Sequence, residues 1–137
     1  MSASANPGSG VAFRRNIMTA KLITKAQMEA LIKNGKQSRE AQRRGRLFDP
    51  QPVVKLFTPD AQATWLLSEI DPDTPDIAFG LCDLGMGFPE LGSVLISEIS
   101  SVRGKLGLPV ERDLHFTPDK PISEYAKAAR SVGHIVA

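Results

Sequence analysis

One cysteine, Cys82, and two histidines, His115 and His134, are all that this chain of 137 residues offers of the commonest soft metal ligands. A lone thiol forms no internal disulfide and no CxxC metal knuckle, and it fits a reducing cytoplasm. So few histidines leave a His-rich catalytic metal centre without ligands. No apolar run approaches the roughly 20 residues of a bilayer span. The opening MSASANPGSG has no apolar h-region, so it does not read as a secretory signal. Acids are absent before Glu29, and Lys and Arg are absent between Leu56 and Val102.

These two gaps segregate the charge. Residues 1–55 hold eleven Lys and Arg against three Asp and Glu, a balance of +8. The whole chain is +2, so residues 56–137 carry −6. An asymmetry of this size suggests that the two halves pair with each other, or that one of them meets a charged partner. The length is that of one domain, and the 42% apolar content is ordinary for a globular one. Residues 1–17 read as a disordered extension ahead of Met18, which opens a single domain over 18–137.

Thr24 and Gln27 form a capping-box pattern, and Met28, Leu31 and Ile32 follow at helical spacing. Asn34-Gly35 can stop this helix, and KQSREAQRRG at 36–45 forms either a second polar helix or a continuation past Gly35. Four short runs rich in branched and aromatic residues come next, at Val53–Thr58, Thr64–Ile70, Ile77–Asp83 and Ser93–Ser97. The turn-formers between them make the runs an antiparallel meander. In the third run Ile77, Phe79 and Leu81 share one face. Ala78, Gly80 and Cys82 share the other, where their small size calls for a closely packed neighbour, a helix for preference. Ser97 or Ser100 can cap a short helix before Gly104, and residues 110–116 read as an extended or edge segment. Ser123 caps a last helix that turns Tyr125, Ala128, Ala129 and Val132 inward and stops at Gly133. The expected fold is α+β, a four-stranded antiparallel meander with an N-terminal helical segment and a C-terminal helix.

The stretch FGLCDLGMGFPELG at 79–92 has the glycines of a phosphate loop but not its chemistry. Asp83 and Glu90 flank it, no cation is local and no helix follows, so glycines in a bent hairpin connection explain it better. DPDTPD at 71–76 lacks the central glycine of a calcium loop and reads as a turn. Cys82 has no cationic neighbour to activate it, and Trp65 reads as core. Asp83, Glu90, Glu111, Asp113 and His115 are the candidates for a carboxylate and histidine site. Strict alternation would set the last three on one strand face, with a carboxylate orienting an imidazole. On a helix Arg39, Arg43 and Arg46 fall on one side and, with Lys36 and Arg44, could grip phosphates. A solvated helix face, or one docked on the protein's own acids, explains the same run. No motif calls for a cofactor or a metal.

Three blocks carry a family resemblance: PVVKLFTPDA with ATWLL at 52–67, FGLCDLG with PELG at 79–92, and LPVERDLHF at 108–116. Together they resemble an uncharacterised bacterial family classed only as a domain of unknown function, over about residues 18–135. Its members occur on plasmids, integrative elements and phages, often near conjugation and antirestriction genes. The resemblance implies a bacterial mobile-element setting and supplies no catalytic residue. The leading expectation is a non-enzymatic accessory protein that binds a protein partner, with an acidic patch from Asp60 to Glu90 as a possible dock for a basic protein. The alternatives are a nucleic-acid-binding protein using residues 36–46 and a small hydrolase built on the five carboxylate and histidine positions.

Overall fold

The computed structural model describes residues 22–137, and the extension expected at 1–17 lies outside the described residues. The elements are α1 (Lys25–Arg43), β1 (Val54–Phe57), β2 (Thr64–Ile70), β3 (Ile77–Asp83), β4 (Glu90–Leu95), α2 (Ile96–Ser101), β5 (Glu111–Arg112) and α3 (Ile122–Val132). The sheet is antiparallel with strand order β4-β3-β2-β1-β5. The first four strands are the expected meander, with the fourth moved back from Ser93–Ser97 to Glu90–Leu95 because α2 begins at Ile96. The fifth corrects the expected number of strands: after α2 the chain crosses to the far edge, where Leu56 faces Arg112 and Phe57 faces Glu111. Two residues of pairing leave too short an alternation to announce a strand.

Alternation along the strands divides the core into two layers. Val54, Leu56, Trp65, Leu67 and Ala78 face Met28 and Leu31 of α1, together with Ile96 and Ile99 of α2. Leu66 and Leu81 face Ile122, Tyr125, Ala126 and Ala129 of α3 on the opposite side. Val132, expected inward, is exposed, because the inner face of α3 runs through Ala126 instead.

The capping box forms as read: the Gln27 amide donates to Thr24 Oγ1 at 3.1 Å, and the Thr24 amide donates to Gln27 Oε1 at 3.0 Å. The helix does not stop at Asn34-Gly35 but continues to Arg43. Gly35 is where α1 touches the sheet, since a Cβ there would stand 1.8 Å from the Ile70 carbonyl oxygen. One residue earlier, Asn34 Nδ2 donates to the Ser68 carbonyl at 2.9 Å. Ser68 is the extra residue of a β-bulge, as the register steps from Leu67↔Gly80 to Glu69↔Phe79. Its hydroxyl donates to the Phe79 carbonyl at 3.2 Å. The crowding at Gly80 comes from this neighbouring strand and not from a helix: a Cβ there would meet the Leu66 carbonyl oxygen at 2.0 Å.

The serines expected to cap the two later helices do not cap them. The N-caps are Leu95 and Pro121, which make no side-chain cap bond. Aspartates from distant segments do the work instead. Asp76 accepts from the Ser97 amide at 2.9 Å and from its hydroxyl at 2.6 Å. Asp49 accepts from the Ser123 amide at 3.1 Å and from its hydroxyl. Each supplies the acceptor that an orphaned first-turn N–H requires and sets a negative charge at the positive end of a helix.

Candidate functional site

The five carboxylate and histidine candidates do not share a cleft. Asp83 is buried, and both its oxygens are occupied: Oδ1 accepts from the Gly85 amide at 2.8 Å and Oδ2 from the Ile135 amide at 2.9 Å. It shapes the β3–β4 hairpin and ties the C-terminal segment to it. Glu90 is exposed at the start of one edge strand, and Glu111 lies on the other edge strand. Four strand spacings of about 4.8 Å separate these edges by roughly 19 Å. Asp113 bends away from β5 by accepting from the His115 backbone amide at 2.9 Å, so the expected strand-face alternation ends there. Its other oxygen lies 3.4 Å from Lys55 Nζ, which also donates to the Ala137 carbonyl at 2.7 Å. The His115 amide, and after it Lys55, hold the Asp113 carboxyl below its ordinary range. The hydrogen bond between Asp113 and His115 thus runs through the His115 backbone, and the imidazole adds only a weaker charge interaction. Among the described residues no group of three or more His, Cys, Asp or Glu is placed to hold a metal ion. Burial pushes the Cys82 thiol up, away from a reactive thiolate.

The basic run is partly spent inside the molecule. Arg39 reaches Asp71 at 3.2 Å and Asp73 at 2.9 Å across the β2–β3 turn. Arg43 and Arg44 both pair with Glu40, Arg44 at 2.6 Å. Lys36 and Arg46 are exposed, Arg46 just beyond Gly45 in its left-handed turn. Three of the five cations therefore stand against three carboxylates, while Lys36 and Arg46 face solvent, and the field of a phosphate-gripping stripe is reduced at short range.

The acidic half is spent in the same way. Asp60 accepts from the Leu106 amide at 2.6 Å and from the Leu108 amide at 3.2 Å. Asp71 accepts from the Asp73 and Thr74 amides at 2.8 and 3.2 Å. With Asp49, Asp76, Asp83 and Asp113, these aspartates each stand in for a missing backbone acceptor. The charge asymmetry of the sequence thus reflects turn and cap chemistry more than a free acidic surface.

Two features escaped the sequence reading. The first is the tip of the β3–β4 hairpin. Gly85 and Gly87 have φ of 81° and 86°, which L side chains rarely adopt. The residues alternating with them turn outward: Leu84 is 58% exposed, Met86 69% and Phe88 81%. The end of α3 abuts this tip, with a Cβ at Gly133 lying 3.7 Å from the Gly87 carbonyl oxygen, and it adds Val132 at 55% exposure. The base of the tip is fixed by Asp83 and by Gln62, whose Cβ would lie 2.9 Å from a Cβ at Gly85. Four large apolar side chains are therefore held in water at one corner. Apolar residues alternating with glycine inside a turn were the signal that could have found it.

The second is a cleft of about 450 Å³ lined by Ser38, Arg39, Arg46, Phe48, Glu69 and Phe79. Glu69 is half-buried there, and burial pushes its carboxyl up while a hydrogen bond with Ser38 works against the rise. A burial signal of this kind depends on where α1 ends, which no local pattern gives.

Fold and surface together define an α+β domain whose antiparallel sheet carries a helix layer on each face and an apolar projection at one corner. The family model described as Protein of unknown function (DUF2958) matches residues 22–136, and the chain belongs to that family. No curated protein and no solved structure matches it. Among the described residues no helix is long and apolar enough to cross a membrane.

Proposed function

We propose that this chain is a non-enzymatic accessory protein that acts by binding a protein partner through the β3–β4 hairpin tip. The observation that carries the reading is the exposure of Leu84, Met86, Phe88 and Val132 at one corner. Exposed apolar groups that adjoin one another mark contact surfaces, whereas singly scattered ones need no explanation. The base of the tip is tied by Asp83, which limits the backbone ordering that docking requires. The aspartates from Asp49 to Asp113 are engaged internally, which moves the contact from the expected acidic patch to the apolar tip. The setting we propose, following the family resemblance, is a bacterial mobile element, with a role in conjugative transfer or defence evasion. The same internal pairing of Arg39, Arg43 and Arg44 argues for partner protein over nucleic acid.

The test is photocrosslinking in a bacterial host with a benzophenone amino acid at position 86, and again at position 127 on the outer side of α3. The expected result is one protein captured from position 86, absent from position 127. Its capture should fall roughly 30-fold in a Phe88→Ser chain, as for a truncated aromatic anchor. Capture that is equal at both positions, or unchanged by Phe88→Ser, refutes the reading.

A further inference from the structure

The two edges of the sheet are built differently. β5 is two residues long and both are charged, the usual protection of an edge against foreign strands. β4 is six residues, ELGSVL, with one charge at its first position, no proline and no lysine. The hydrogen-bonding sides of β4 follow from two bonds. The Ile96 amide donates to the Asp76 carbonyl at 2.9 Å, so this opposite pair is a bonded one. Antiparallel pairs alternate, so Val94, Gly92 and Glu90 bond to β3, while Leu95, Ser93 and Leu91 turn their amides outward. The Ile77 carbonyl, which faces Leu95 in register, is accordingly taken by the Asp71 amide of the other neighbour. Among the described residues no turn, loop or side chain bonds to the outward groups of Leu91 or Ser93 or to the outward amide of Leu95, whose carbonyl, as the N-cap of α2, is taken by the helix.

We infer that this edge pairs with the same edge of a second copy of the chain, β4 antiparallel to β4 across a two-fold axis at Ser93. Outward amides must face outward amides, which restricts the two-fold registers to those centred on single residues. Centring on Ser93 sets Ser93 opposite Ser93, Leu91 opposite Leu95 and Gly92 opposite Val94. A hydroxyl meets a hydroxyl, leucine meets leucine, and the bulkier valine meets the residue without a side chain. A Cβ at Gly92 would meet nothing within 4 Å, so there is room on that face. Glu90 faces Ile96 and not another carboxylate, so no like charges meet. Centring one residue earlier would face Leu95 with Pro89, which has no N–H to give. Centring one residue later would send Leu91 against Ser97, which lies in α2, so only the Ser93 register keeps all three outward residues within the strand and gives an isologous interface and a continuous ten-stranded sheet. Leu95, a large apolar residue 37% exposed in the single chain, becomes covered.

Sedimentation equilibrium of the full chain over a concentration series tests this, together with two variants. The expected result is a monomer–dimer equilibrium. Ser93→Lys, which sets two ammonium groups face to face on the axis, should weaken it roughly tenfold or more while the circular dichroism spectrum of the monomer is kept. Ser93→Cys should form a disulfide-linked dimer on mild oxidation, because directly opposite bonded residues have Cα atoms about 5.5 Å apart. Ser97→Cys, beyond the paired segment, should not. A monomer at every concentration overturns the inference. So does a dimer that tolerates Ser93→Lys and fails to crosslink through Ser93→Cys. Neither result touches the tip reading, which rests on crosslinking from position 86.

Discussion

A single methyl group at Gly35 separates two opposed effects. In an ordinary helix interior, replacing Gly with Ala stabilises by about 1 kcal/mol. Here the added carbon would lie 1.8 Å from the Ile70 carbonyl oxygen, 2.9 Å from its carbon and 3.2 Å from Pro72 Cδ. A carbon and a carbonyl oxygen settle no closer than about 3.3 Å, so α1 must retreat by roughly 1.5 Å. A gap of even 1 Å forfeits up to about half of each dispersion contact, and Met28 and Leu31 contribute about 1.5–3 kcal/mol apiece through burial. The retreat also stretches the 2.9 Å bond from Asn34 to the Ser68 carbonyl, worth about 1 kcal/mol. After subtracting the propensity gain, Gly35→Ala should destabilise the fold by about 2–3 kcal/mol. With a urea slope near 2 kcal/mol/M, the unfolding midpoint should fall by about 1–1.5 M. A midpoint that is unchanged or higher would refute the close-approach account and return Gly35 to the helix-stop role that its neighbour Asn34 suggests.

Asp83→Ala removes the acceptor of two backbone amides, one of them 52 residues away, and should cost about 3 kcal/mol in urea unfolding. Its amide exchange should quicken at Ile135 as well as at Gly85, and an effect confined to the hairpin would contradict the tether. Glu69 gives a pH signature of the opposite sign to a salt-bridged acid. Its folded carboxyl is raised, so its ionisation penalises the fold as pH climbs from the unfolded value near 4 through the folded one, and the penalty is complete above both. Glu69→Gln should therefore match the parent near pH 3.5 and be more stable at pH 7, and equal stability at both would show that burial does not govern this side chain.

What could be read in advance was local. Thr24 with Gln27 announced the start of α1, the alternation in Ile77–Asp83 gave β3 its two faces, and Gly133 marked the end of α3. What could not be read depended on partners far along the chain. Ser97 and Ser123 looked like caps because the cap-forming residue types are few. Nothing nearby showed that Asp76 and Asp49 would arrive to do that work. β5 reads in the sequence only as part of an extended or edge segment over 110–116, and its place in the sheet was not legible because Glu111 and Arg112 owe it to pairing with β1. The carboxylate and histidine candidates were grouped by type and spacing, and strand order then sent Glu90 and Glu111 to opposite edges. In the hairpin tip the glycines set the backbone shape, while the exposure of Leu84, Met86 and Phe88 depends on side chains that no apolar–polar periodicity marks.

The distant aspartates also set an order of assembly. The meander needs only neighbouring strands, so its contacts close short loops and form early. Asp49, Asp60 and Asp83 wait for amides 74, 46 and 52 residues further on. On a ribosome the first four strands emerge before these amides, with the loop after Phe57 held only by its own Thr58–Ala63 bonds and the far face of the sheet uncovered. Only when residues 106–135 are out can each carboxylate exchange water for its amide. The last third of the chain therefore acts as a clasp on a sheet already laid down. A nascent chain halted before it should be protease-sensitive at the Asp60 loop while its hairpins are already protected.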